Sequence, residues 1–69
     1  MSTRELLKEE IKKATMHAVK AKMDLHDLSE DLPVNWEKIE EVARAATSAY
    51  RNLTVLKARL EDSATLIQD

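Results

Sequence analysis

The feature that most constrains this 69-residue chain is the spacing of its apolar residues, which recur in alternating steps of three and four. In the first half they are Leu7, Ile11, Ala14, Ala18, Ala21, Leu25, Leu28 and Leu32. In the second half the positions are Ile39, Val42, Ala46, Ala49, Leu53, Leu56, Leu60, Ser63 and Ile67, of which Ser63 alone is polar. A period of about 3.5 residues is typical of a helix that packs along one seam, and not of a strand. Two long helices are therefore predicted.

A single proline, Pro33, separates the two seams, and the chain has no glycine. Proline disfavours the helical conformation at Leu32, the residue before it, so the first helix should end there. Asn35 is then placed to cap the second helix. The prediction is one domain over residues 1–69, with a helix at about 3–32, a turn at 33–35 and a helix at about 36–67. A connection this short makes the two helices antiparallel neighbours.

The two seams also match each other in size when the chain is folded back at the turn. Small residues face small ones in the middle of the rod, and large ones meet toward its ends. The expected layers are Leu25 with Val42, Ala21 with Ala46, Ala18 with Ala49, Ile11 with Leu56, and Leu7 with Leu60. The predicted fold class is therefore all-α, an antiparallel two-helix hairpin.

The first helix carries a second apolar stripe that this hairpin does not use, formed by Met16, Val19, Met23 and, continuing the line, His26. A chain this short seldom builds a sufficient core alone, and without cysteine it has no disulfide to stabilise it. We therefore predict that the stripe is a dimer interface, giving a homodimeric four-helix assembly. The alternatives are isolated exposed apolar residues, which are common, or a different partner protein.

Charge is distributed unevenly along the chain. Residues 1–23 hold six basic and three acidic residues, whereas residues 24–41 hold seven acidic residues against Lys38. The turn end of the hairpin should therefore be strongly negative and able to attract a divalent cation or a basic partner. A solvated tip that keeps the protein soluble is the simpler interpretation. The acidic candidates for partner binding are Asp24, Asp27, Glu30 and Asp31.

His26 is the candidate for chemistry, because it lies among these acidic residues and Glu30 is its i+4 neighbour on the same helical face. Imidazole and carboxylate together suit a divalent transition metal such as Ni²⁺, Zn²⁺ or Fe²⁺. A two-fold axis at the stripe would also bring the His26 side chains of two copies together. An ordinary surface histidine is the alternative, and it is the expected reading of His17.

Other classes of function find little support in the sequence. No nucleophile–base pair and no glycine-rich phosphate loop is present, so an enzyme is not expected. No apolar run approaches the roughly 20 residues of a membrane span, and the N-terminus lacks the apolar segment of a signal peptide. A cytoplasmic protein is therefore expected. The net charge of −2 gives no general reason to expect nucleic acid.

The segment from Lys20 to Trp36, KAKMDLHDLSEDLPVNW, resembles a known family. Its LHDLSEDLP part, at Leu25–Pro33, is similar to the small Rop-like helical-hairpin proteins of nitrogen-fixation gene clusters, called NifX-associated proteins. The resemblance implies a homodimer of antiparallel hairpins in a nitrogen-fixing bacterium. It also implies that the histidine of LHDL, His26 here, is a candidate metal ligand.

Three functions follow as hypotheses. The first is a non-enzymatic accessory protein of nitrogen fixation that binds a partner protein, a divalent metal at His26, or both. The second, by analogy with the plasmid-copy-control protein of the same architecture, is an RNA-binding regulator that uses basic residues such as Lys8, Lys12, Lys20 and Lys22. The third is a purely structural interaction module.

Overall fold

The computed structural model describes the backbone of residues 2–67 and the side chains of residues 2–62. Helix α1 spans Thr3–Asp31 and helix α2 spans Ile39–Ile67, with a 3₁₀ turn at Trp36–Lys38 between them. No strand occurs within residues 2–67. The two helices lie side by side in a rod of 51 × 16 × 13 Å. The predicted all-helical fold is confirmed.

Helix α1 begins at a side-chain cap. The Ser2 hydroxyl accepts a hydrogen bond from the Glu5 backbone N–H at 3.2 Å, and the Ser2 carbonyl accepts one from the Leu6 N–H at 3.0 Å. The first bond satisfies one of the N–H groups that the first turn of a helix leaves without a partner, and the second is the first regular backbone bond of the helix. The sequence places a helix-favouring run directly behind this cap, so α1 continues without interruption for 29 residues.

The turn differs from the prediction at Asn35. Leu32 is extended, at φ −55° and ψ 142°, as expected of a residue before proline, so α1 ends at Asp31. Asn35, however, makes no side-chain cap and takes the left-handed conformation at φ 64° and ψ 24°. Asparagine tolerates this region better than most residues, and the chain has no glycine to take the position. The carbonyl of Asn35 instead accepts from the Lys38 N–H at 3.0 Å, which starts the 3₁₀ turn, and α2 begins only at Ile39.

The core runs along the two predicted seams and is made largely of alanine. Its buried members are Ala14, Ala18, Ala21, Leu28, Ala46, Leu53 and Leu56. One cluster joins both helices at the middle and open end of the rod: Ala14 and Ala18 pack with Leu53 and Leu56, flanked by Leu7, Ile11 and Ala49. All of these residues belong to the two predicted seams, and in this cluster two alanines of α1 lie with two leucines of α2.

The seam opens toward the turn. Leu25, Leu32 and Ile39 remain 37%, 40% and 41% exposed although the periodicity places them on it. Leu32 has left the helix, so its side chain no longer follows the seam. The predicted seam residues Ser63 and Ile67 lie outside the described side chains.

Candidate functional site

The second stripe of α1 lies on the outer face of the hairpin, as predicted. Met16, Val19 and Met23 are 70%, 51% and 50% exposed, and the His26 side chain is 63% exposed. At 3.6 residues per turn, this face is rotated about 150° from the alanine seam. The hairpin core therefore cannot reach these side chains, and a single chain leaves them in contact with water.

At the end of the stripe, the side chains of His26 and Glu30 lie together. The His26 Nδ1 atom lies 3.0 Å from Glu30 Oε1 and 3.8 Å from Asp27 Oδ1. Each of the three residues offers a ligand atom within 4.8 Å of the other two. All three are exposed, so water can complete a coordination shell. The sequence singled out His26 and Glu30 as ligands, but assigned Asp27 only to the acidic surface, although its position beside the histidine could have indicated it.

These distances fit a transition-metal ion. Nitrogen and oxygen ligands at about 2.0–2.1 Å from a metal are about 2.9 Å apart at a right angle and about 3.4 Å apart in a tetrahedron. The 3.0 Å between Nδ1 of His26 and Oε1 of Glu30 falls in that range, and it is equally the length of a direct hydrogen bond or ion pair between the two side chains. The Asp27 carboxylate is farther away and would need a change of side-chain rotamer to join them.

Electrostatics also favour a cation here, because the cluster sits at the C-terminal end of α1. The negative end of a helix dipole attracts positive charge, yet the last turn of α1 contains no basic residue. Asp27, Glu30 and Asp31 instead add negative charge to that end. Asp24, one turn earlier, differs from them because it pairs with Lys20 at 3.0 Å. The acidic end is thus available to a cation or to a basic partner mainly through the other three carboxylates.

The turn carries two exposed apolar side chains that were not predicted from the sequence to form a site. Val34 is 64% exposed and Trp36 is 62% exposed, between the acidic end of α1 and the acidic start of α2. Large exposed aromatic residues are frequent anchors at protein interfaces. Periodicity could not identify Trp36, because it lies outside both helices, but its type and its place after proline were visible signals.

A shallow groove of about 290 Å³ lies between the helices on the other half of the rod. Its polar lining is formed by Glu10, Lys13, His17, Asn52 and Arg59. His17, expected to be an ordinary surface residue, is thus exposed in a basic groove and has no acidic neighbour at the spacing of His26 and Glu30. The groove is open to solvent and is separate from the cluster at His26.

The basic residues considered for RNA are all exposed, and one of them already has a partner. They are Lys8, Lys12, Lys20 and Lys22, and Lys20 binds Asp24.

Among the described residues, neither helix has the length of apolar sequence that crossing a bilayer requires.

The fold and the site define a class, the small antiparallel helical hairpin with an alanine-rich seam. The chain matches the family model described as Rop-like over residues 2–65, and it belongs to that family. It is 48% identical over 62 residues to a UPF0437 protein of Azorhizobium caulinodans, covering 90% of both chains.

Two further relatives support the same grouping. A protein of Frankia alni described as a UPF0437 protein in the nifX-nifW intergenic region is 41% identical over 51 residues, which are 74% of this chain and 62% of the relative. A UPF0437 protein of Trichormus variabilis is 42% identical over 59 residues, 86% of this chain and 69% of the relative. No solved structure matches the chain.

Proposed function

We propose that this protein is a non-enzymatic accessory protein associated with nitrogen fixation, which acts by binding other proteins and itself. The observation that carries this proposal is the exposed stripe of Met16, Val19 and Met23, which continues to His26 on the outer face of α1. Apolar side chains in a row on a helix favour association with a second helix. Self-association through this stripe gives a homodimer that contains four helices.

The link to nitrogen fixation is supported by the relatives. One of them is named for its position in the nifX-nifW intergenic region of Frankia alni, and it is 41% identical to this chain over 51 residues. An accessory role fits a short rod that offers surfaces for binding. The partner we propose is a nitrogen-fixation protein with a basic surface, bound by the acidic end at Asp24, Asp27, Glu30 and Asp31.

The partner is tested by co-purification from nitrogen-fixing cells that express the tagged protein. We expect a nitrogen-fixation protein to co-purify with the wild type and to be lost when Asp27 and Asp31 are both changed to Asn. The matched control is Glu61→Gln and Asp62→Asn, two acidic residues at the opposite end of the rod. Equal recovery from all three samples would contradict a role for the acidic end.

The same surface supports binding of a divalent transition metal such as Ni²⁺, Zn²⁺ or Fe²⁺. His26 and Glu30 present a nitrogen and an oxygen ligand 3.0 Å apart, with Asp27 close by. Only two or three protein ligands are available, so water would complete the shell and the affinity would be moderate.

Metal binding is tested by titrating Ni²⁺ or Zn²⁺ into isotope-labelled protein and following the backbone amide signals. We expect saturable shifts confined to the end of α1, and their loss in His26→Ala. His17→Ala is the matched control, because it removes an exposed histidine of the same helix that has alanine at i+1 and i+4. Shifts that are absent, or that persist in His26→Ala, would contradict the proposed site.

A further inference from the structure

The groove at His17 is formed by one flank of each helix. On α1 its lining residues follow the spacing i, i+3 and i+7, at Glu10, Lys13 and His17. On α2 they follow the spacing i, i+4 and i+7, at Asn52, Leu56 and Arg59. Each spacing keeps its residues on one side of its helix. The two flanks therefore meet across a floor that buried Ala14 and Leu56 form.

Four side chains around this floor can donate hydrogen bonds. The Lys13 ammonium and the Arg59 guanidinium donate with a positive charge, and the Asn52 amide donates without one. The His17 imidazole carries at least one ring N–H in every protonation state. Within residues 2–62, the hydrogen bonds and ion pairs of the structure involve none of these four side chains. Their donors are therefore available to a ligand in the groove.

The arrangement of these donors favours a phosphate group over a carboxylate. A carboxylate is planar, and a single guanidinium can satisfy its two oxygens. A phosphate monoester has three terminal oxygens that point in different directions, so it needs donors on more than one side. Here the donors come from both walls of the groove, and they include the arginine fork and the lysine point charge that bind phosphate in other proteins.

We infer that this groove binds the phosphate group of a small organic phosphate. Lys13 and Arg59 supply the charge from opposite walls, and His17 and Asn52 add neutral donors beside them. The volume of about 290 Å³ lies at the lower end of small-molecule pockets. It has room for one phosphate group, with an apolar substituent on the floor at Ala14 and Leu56.

Glu10 acts against this charge, because it is the one acidic residue among those that line the groove. Lys13 and Arg59 outweigh it, so the lining carries a net positive charge although the whole chain has a net charge of −2. A carboxylate beside the phosphate lowers the affinity. The effect of removing Glu10 is therefore opposite in sign to the effect of removing Lys13 or Arg59, and this contrast gives a specific test.

This site goes beyond the proposed function and does not depend on it. At about 100° per residue, the flank of α1 at Lys13 and His17 is turned by roughly 120° from the outer stripe at Met16, Val19 and Met23. The groove contains no part of the metal cluster at His26. It also differs from a nucleic-acid surface, because it holds one phosphate group, whereas binding of a polynucleotide requires many phosphate contacts.

Phenyl phosphate is the probe, since it combines a phosphate monoester with a small apolar group. It is titrated into isotope-labelled, metal-free protein at constant pH and ionic strength, and the backbone amide signals are followed. We expect saturable shifts confined to residues 10–17 and 52–59. The double variant Lys13→Gln, Arg59→Gln should raise the Kd on the order of tenfold, because two charged donors are lost.

The matched control is Arg51→Gln with Lys57→Gln. It removes the same charge from α2, at positions turned by about 100° or more from the flank that lines the groove. We expect its Kd to equal that of the wild type, and circular dichroism should show that all the proteins remain helical. Equal weakening of both double variants would show a general effect of net charge and overturn the site. Shifts that never saturate would overturn it as well.

Two further measurements test the position and the class of the ligand. Glu10→Gln should lower the Kd about twofold or more, whereas Glu9→Gln, turned by about 100° from Glu10, should not change it. An unchanged Kd in Glu10→Gln would contradict a phosphate in this groove. Benzoate presents a carboxylate on the same ring and should bind at least about fivefold more weakly than phenyl phosphate. Equal affinities for the two probes would refute the preference for phosphate.

Discussion

Val19→Lys provides the sharpest test of the outer stripe. Val19 lies near the centre of the stripe and is 51% exposed in the hairpin, so pairing can cover about half of its side chain. Full burial of a valine side chain contributes roughly 1.5–3 kcal/mol. Half of that value, counted once for each copy, gives a loss of about 1.5–3 kcal/mol of dimer free energy.

That loss corresponds to an increase in the dimer Kd of roughly 10- to 150-fold. It is a lower limit, because the lysine ammonium groups near the centre would also lose water or force the helices apart. The total apolar gain of the stripe is itself modest, and association has a cost of at least about 4 kcal/mol in lost motion. Met16, Val19 and Met23 are 70%, 51% and 50% exposed, so covering them in two copies gains roughly 5–10 kcal/mol. After that cost we expect a wild-type dimer Kd of roughly tens of micromolar or weaker, and monomeric Val19→Lys at the same concentrations.

The assay is sedimentation equilibrium over a concentration series, with far-ultraviolet circular dichroism to verify helix content. Val55→Lys is the matched control, since Val55 is 43% exposed and lies on the outer face of α2, about 180° from Ala46. It should leave the mass unchanged. The reasoning is refuted if Val19→Lys remains as dimeric as the wild type, or if both variants dissociate equally.

Three further predictions follow from the same structure. Leu53→Ala, at a core position only 9% exposed, should lower the free energy of unfolding by about 2–5 kcal/mol, measured by urea titration, whereas Lys57→Ala on the exposed side should change it by less than about 0.5 kcal/mol. Ni²⁺ affinity should fall in Glu30→Gln, because this carboxylate is the second protein ligand beside the His26 imidazole; a calorimetric titration checks this, and an unchanged affinity would contradict a role for Glu30. Folded RNA should give no salt-dependent gel shift, because the net charge of the chain is −2 and Lys20 is already paired with Asp24; a saturable shift that Lys12→Glu abolishes would instead support the RNA-binding alternative.

The fold was predictable because its determinants are local in sequence. Apolar residues spaced by three and four lie on one face only if the chain is helical. Pro33 disfavours the helical conformation of the residue before it, whatever the rest of the fold. The conformation of Asn35 was not predictable in the same way. Asparagine suits both a helix cap and the left-handed region, and the choice depends on how the chain must reverse between two packed helices.

The candidate sites differ in the same way: one depends on local sequence and the other on how the two helices pack. His26, Asp27 and Glu30 belong to one helix, so the spacing i, i+1, i+4 already determines that their side chains are neighbours. The groove at His17 could not be found that way, because Arg59 and Asn52 come from the other helix. The lining of the groove depends on which residues of the two helices lie side by side. The periodicity of the sequence predicts this pairing only to within one layer of the core.

The composition of the core connects the fold to the proposed function. Four of the seven buried core residues are alanine, each with a single methyl group to bury, and among the described residues no large side chain is fully enclosed. At about 0.8 kcal/mol for each buried methylene-sized group, these alanines contribute less than leucines would. They allow the helices to approach closely. Three larger apolar side chains of α1 remain outside the core: Met16, Val19 and Met23. In the proposed dimer, covering that stripe buries further apolar surface, so it adds to the stability of the fold as well as joining two copies. Folding uses one face of α1, and the proposed association uses the opposite face of the same helix.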